Sequence, residues 1–122
     1  MDTSPEYINM CRRAKELQEM WKPQIGDWIY QNSALPDKIT VVYKYSLEKE
    51  DMKIWDWVRE DWYTMQECVW LPRIDQWLQI LSDKNIIFGL SNYAQGDSVE
   101  ITCIKLLYLN IYNKSWNGED WI

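Results

Sequence analysis

Ile39-Thr40-Val41-Val42-Tyr43-Lys44-Tyr45 decides the fold. Six of these seven residues are β-branched or aromatic, the side chains that fit a pleated, half-buried surface, so the run predicts a strand. Upstream, Trp28-Ile29-Tyr30 reads as a second, shorter strand, and Asn32 to Lys38, with Pro36-Asp37, reads as a turn. The two strands are expected to pair as a hairpin with a long loop. Cys68-Val69-Trp70 suggests a brief third strand.

Helical patterns flank this sheet. Ser4-Pro5 offers an N-cap with proline at the first helical position. Tyr7, Met10, Cys11, Ala14, Leu17 and Trp21 then recur at intervals of three and four, and Arg12–Glu16 and Lys15–Glu19 are matched pairs elsewhere on the wheel. One amphipathic helix is expected from Pro5 to Trp21, stopped by Pro23, before a turn over Pro23-Gln24-Ile25-Gly26-Asp27. Leu71-Pro72 begins a second helix whose inner stripe is Ile74, Trp77, Leu78 and Leu81, and Ser82-Asp83-Lys84-Asn85 ends it. Asp97-Ser98-Val99-Glu100 has the form of a capping box, with Asp97 capping and Glu100 reaching back, at the head of a helix running to about Asn113. That helix is apolar over most of its circumference, which suits the centre of a core or a shared homodimer face. Trp116-Asn117-Gly118-Glu119-Asp120-Trp121 places a tight Asn-Gly turn between two tryptophans.

Leu47 to Gln66 is ambiguous. Glu48-Lys49-Glu50-Asp51 is a solvated charge cluster; behind it Trp55, Val58 and Trp62 suit one helical face, while Trp55 and Trp57 also suit alternation. A short helix or irregular excursion is expected there. Together these elements predict an α+β fold: two long terminal helices and a short middle helix packed on a small antiparallel sheet of two or three strands. Residues 1–122 are read as a single globular domain.

Composition narrows the function. Nine tryptophans and eight tyrosines accompany one phenylalanine and no histidine. The chain is therefore rich in large amphipathic surfaces and lacks the side chain best suited to proton transfer at neutral pH. Net charge is −6, and Ile25 to Pro72 holds nine acids against five bases. Phosphate backbones are bound by clustered Lys and Arg. Here the only adjacent basic pair is Arg12-Arg13, so direct nucleic-acid binding is disfavoured. No run approaches the roughly eighteen apolar residues of a membrane span, and the N-terminus lacks the pattern of a signal peptide. Cys11, Cys68 and Cys103 are odd in number and widely spaced, which fits buried free thiols in a reducing cytoplasm.

No nucleophile elbow, phosphate-binding glycine loop, Cys-x-x-Cys or calcium loop occurs. No catalytic residue, cofactor site or metal ligand is therefore assigned, and the balance leans away from an enzyme. Carboxylates that could pair for acid/base work are Asp56, Glu60, Asp61, Asp75, Glu119 and Asp120; a solvated face is their commoner fate. The candidate binding surface is Trp55, Trp57 and Trp62 with Asp56 and Asp61, because tryptophan dominates binding hot spots and these rings are set among charges.

Three pieces, Trp21-Lys22-Pro23-Gln24-Ile25-Gly26-Asp27-Trp28, Trp70-Leu71-Pro72-Arg73-Ile74-Asp75-Gln76 and Trp116 to Trp121, resemble as a set a group of small uncharacterised proteins encoded by phages and prophages of Gram-positive bacteria. The resemblance covers most of the chain outside Leu47 to Glu67. It implies residence in the bacterial host cytoplasm and carries over no activity and no catalytic residue. The expectation is a non-enzymatic accessory protein that binds another protein, with a homodimer through the C-terminal helix as one arrangement. A carboxylate-dependent hydrolase of a sugar or nucleotide, or a minor virion component, is the alternative. The flanking tryptophans are expected to pin helix ends to the core.

Overall fold

The computed structural model describes residues 1–31, 38–43, 45–48, 51–56, 61–64, 68–87 and 96–122. The α+β expectation holds: the described residues form four helices and two three-stranded antiparallel sheets, the strands of one sheet lying in sequence between two strands of the other. They fall into two compact units, Met1–Ala14 with Pro72–Ile122, and Lys15–Leu71. None of the described helices is long and apolar enough to cross a membrane.

The first unit is helical. Helix α1 (Pro5–Arg13) is capped by Ser4, whose Oγ accepts the Tyr7 N–H at 3.2 Å, and has proline in its first turn. The expected single helix to Trp21 is broken at Ala14, where ψ is 72° and the N–H turns to the Cys11 carbonyl. Ala14 is apolar and buried like the stripe residues around it in the sequence, so periodicity could not reveal the break.

Helix α3 (Ile74–Asp83) starts after Pro72, with the Arg73 N–H donating to Gln76 Oε1 at 2.9 Å. Its buried residues are Trp77 and Leu81; Ile74 and Leu78 of the expected inner stripe are exposed. Asn85 takes a left-handed φ of 57° beyond its end.

Helix α4 (Val99–Ile111) is capped by Ser98 rather than Asp97: Ser98 Oγ accepts the Ile101 N–H at 3.1 Å. The cap is moved one residue by a partner distant in sequence. Ser98 Oγ–H donates to the Asp2 carboxylate, and Glu100 accepts the Asp2 N–H instead of reaching back. Residues 100–104, with Leu107 and Tyr108, are buried, so the first turns of α4 are enclosed on nearly every side, while Leu109 and Ile111 emerge at its end.

The terminal turn forms as its Asn-Gly pair predicts. Ser115 and Ile122 exchange two backbone hydrogen bonds, Trp116 bridges Trp121, and Asn117 Oδ1 accepts the N–H groups of Glu119 and Asp120. Gly118 sits at φ 100°, where a side chain would be strained. Tryptophans pin this unit together. Trp77 Nε1–H donates to the Tyr7 hydroxyl, which donates to the Pro72 carbonyl, and Trp121 Nε1–H donates to the Met10 carbonyl while its ring stacks on Tyr108 at 4.4 Å.

The second unit opens with α2 (Lys15–Met20). Its first sheet places β1 (Trp28–Gln31) between β2 (Lys38–Val41) and β6 (Cys68–Leu71), all antiparallel. The three predicted strands are therefore present, and the hairpin pairs Trp28 with Val41 and Gln31 with Lys38. Buried Asp27 organises the turn before β1 by accepting both Trp21 Nε1–H and Gln24 N–H at 2.9 Å.

Tyr45 departs from expectation. It belongs to β3 (Tyr45–Glu48) of a second sheet, with β4 (Asp51–Asp56) in the middle and β5 (Asp61–Thr64) beyond. A run of β-branched and aromatic residues does not show where a chain leaves one sheet for another. The described parts of Leu47 to Gln66 are thus strands, not the expected helix or irregular excursion.

Candidate functional site

The second sheet carries the candidate surface. Its register pairs Tyr45 with Ile54, Ser46 with Lys53, Leu47 with Met52 and Glu48 with Asp51 on one side of β4. On the other it pairs Lys53 with Thr64, Ile54 with Tyr63, Trp55 with Trp62 and Asp56 with Asp61. Because successive strand residues alternate faces, these pairs sort into two sets. Tyr45, Leu47, Met52, Ile54 and Tyr63 share one face with the Asp56–Asp61 pair. Ser46, Glu48, Asp51, Lys53 and Thr64 share the other face with the Trp55–Trp62 pair.

Four of the five candidate residues are therefore brought to one end of one ladder, in two directly paired couples. The couples belong to opposite faces, a division that the bare sequence spacing concealed. Trp57 lies outside the described residues, as does Glu60. Aromatic pairs placed directly across an antiparallel ladder stabilise it, and like charges so placed oppose it.

The other reactive groups are committed to structure. Burial pushes the Cys11 thiol far above its ordinary range, aided by the Asp2 and Glu100 carboxylates and opposed by a hydrogen bond with Tyr7. Burial, with Glu100 nearby, pushes Cys103 up to about 12. Neither forms appreciable thiolate at neutral pH, the species that acts as nucleophile or metal ligand. Cys68 is also buried, and none of the three cysteines forms a disulfide.

Carboxylates close turns and helix ends. Burial would raise Asp2, but hydrogen bonds from Ser98 and Ser4 outweigh it and hold the carboxyl below its usual range. Asp97 meets Lys105 Nζ at 2.8 Å, and exposed Asp75 is held low chiefly by its hydrogen bond from Arg73. Glu119 and Asp120 are exposed in the terminal turn. Of the carboxylates named for acid/base work, only Asp56 and Asp61 occupy paired positions among the described residues. No three His, Cys, Asp or Glu among those residues are placed to hold a metal ion.

Two features were missed in the sequence. Gln18 serves as a strand partner for Trp70, and a cleft beside the terminal turn is lined by Lys105 and Lys114. The two tryptophans flanking Asn117-Gly118 were the available signal for the cleft. No protein-family model, curated protein or solved structure matches this chain.

Proposed function

We propose that this chain is a non-enzymatic accessory protein of phage or prophage type, acting in the bacterial cytoplasm by binding another protein through the β3–β4–β5 sheet. One observation carries this reading: the register sets Trp55 directly opposite Trp62 on the face that otherwise holds Ser46, Glu48, Asp51, Lys53 and Thr64. By register, Tyr45, Leu47, Met52, Ile54 and Tyr63 take the alternate positions. The Trp55–Trp62 pair supplies a large, rigid contact area of the kind that anchors protein interfaces. Residues 45–64 hold six acids and three bases, which favours a partner with a basic rim and speeds its approach at low salt.

The test is quantitative capture from a Gram-positive lysate by the intact chain and by a Trp55→Ala/Trp62→Ala variant that keeps its cooperative unfolding transition. A saturable partner retained by the first and lost by the second is the expected result. Capture that is equal for both, or absent for both, removes the proposal.

The hydrolase alternative has one observation in its favour, the pairing of Asp56 with Asp61. It requires turnover of a sugar or nucleotide substrate that disappears in Asp56→Asn and survives in Trp62→Ala.

A further inference from the structure

A cleft of about 300 Å³ opens between the end of α4 and the terminal turn, lined by Lys105, Leu109, Lys114, Ser115, Trp116 and Trp121. Its walls divide by chemistry. The indole rings of Trp116 and Trp121 lie 5.2 Å apart at 56°, and Leu109, one helical turn beyond Lys105, is 55% exposed. These form an apolar corner large enough for one flat group.

The charged lining is wholly cationic. The chain carries 19 acidic residues against 13 basic ones, yet no Asp or Glu is among the described residues that line this cleft. A second, wider concavity offers the contrast, being lined by Asp2, Glu6 and Glu100. Lys105 Nζ gives one hydrogen bond to Asp97 Oδ2 at 2.8 Å, and an ammonium has three to give. The Nε1–H of Trp116 is buried and has no acceptor, a cost that the fold itself leaves unrelieved. The α4 C-terminus opposes an anion weakly, by well under the strength of a charge-assisted hydrogen bond.

We propose that this cleft binds a carboxylate borne on a flat apolar group, with the ring between Leu109 and the two indoles and the carboxylate on the lysine side. Lys114 supplies the charge, beside Lys105, whose ammonium is already ion-paired with Asp97 at 2.8 Å. Two sources share this chemistry: a free aromatic acid, and an aromatic C-terminal residue of a polypeptide. The site is independent of the β3–β4–β5 surface and stands or falls separately.

The test uses N-acetyl-phenylalanine, its uncharged amide, and a hexapeptide ending in phenylalanine as the free acid. Binding is read from the Trp116 and Trp121 indole N–H resonances of the intact chain. Saturable shifts of both resonances are expected with the acid. The amide should bind at least about tenfold more weakly, as should the acid to a Lys114→Gln variant whose other resonances are unmoved, since each loses a charge-assisted contact. A hexapeptide binding about tenfold tighter than the acetylated residue assigns the site to polypeptide C-termini, and equal binding assigns it to small acids. Absence of shifts at millimolar acid, or equal shifts with acid and amide, overturns the proposal.

Discussion

The side-chain amide of Gln18 closes the free edge of the first sheet at Trp70. Its Oε1 accepts the Trp70 N–H at 2.7 Å, and its Nε2–H donates to the Trp70 carbonyl at 3.0 Å. Strand β6 is an edge strand, and an unpaired edge is a template for another chain. A glutamine on α2 thus does what a fourth strand would do, within the unit that also stacks Trp21 on Trp70 at 6.3 Å. Gln18→Leu leaves both backbone groups without these partners and is expected to cost about 1–3 kcal/mol. Urea denaturation measures the loss. Light scattering should rise with concentration for the variant only, and an unchanged midpoint with no association would show that the amide is incidental.

Gln31 is the opposite case. It lies at the end of the central strand β1, 1% exposed, and neither its Oε1 nor its Nε2 has a hydrogen-bond partner. A buried amide without partners is penalised, whereas an apolar side chain of similar length is not. Gln31→Met is therefore expected to stabilise the chain by about 1 kcal/mol. A thermal midpoint that falls on this substitution would mean that the amide is satisfied in solution.

These two glutamines mark the limits of what the residues disclose. Ser4-Pro5 and Asn117-Gly118 were legible because a cap and a tight turn are decided within four residues. Trp28 to Tyr30 and Cys68 to Trp70 were legible as strands because their side chains fit a pleated surface. The cap of α4 was misplaced by one residue because Asp2, nearly a hundred positions away, selects Ser98. The break at Ala14 was invisible because alanine continues the stripe. The β3–β4–β5 sheet was missed because its evidence is non-local: neither Trp55 nor Trp62 alone signals a strand, and only their register pairs them. The candidate surface was chosen for its tryptophans among charges, and no periodicity showed that Trp55–Trp62 and Asp56–Asp61 belong to opposite faces.

Trp121 offers a dissection of how the terminal turn is held. Its indole N–H reaches the Met10 carbonyl at 3.1 Å, and its ring stacks on buried Tyr108. Trp121→Ala removes both and is expected to cost about 3–5 kcal/mol. Trp121→Phe keeps an aromatic ring and loses the hydrogen bond, so about 1–2 kcal/mol should remain as its share. Equal losses in the two variants would assign nearly all of the effect to the hydrogen bond and the lost volume rather than to stacking.

Acid should act through Asp2. Hydrogen bonds from Ser98 and Ser4 outweigh the effect of burial and keep its carboxyl low in the folded chain. A group with a depressed folded value contributes stability above its unfolded value, near 4, and loses that contribution as pH falls through the folded one. Unfolding free energy is therefore expected to fall as the pH drops below about 4, more steeply for the wild-type chain than for Asp2→Asn. Parallel slopes would leave Asp2 without a part in acid sensitivity.

Alkali should act through the thiols, with the opposite sign. Burial raises Cys11 and takes Cys103 to about 12, so both stay protonated when the folded chain meets a pH at which unfolded cysteine ionises. Their contribution is complete below the unfolded value of about 8.5 and declines as pH rises from there towards the folded values. Stability should fall steadily above about pH 8.5, and Cys103→Ala, which removes one titrating group, should flatten that limb while lowering the plateau. The same burial makes a kinetic prediction. A disulfide reagent at pH 8 should leave the folded thiols unmodified and react with all three once denaturant is added. Rapid native-state labelling of Cys11 or Cys103 would show that helices α1 and α4 open locally, and that burial does not silence their sulfur chemistry.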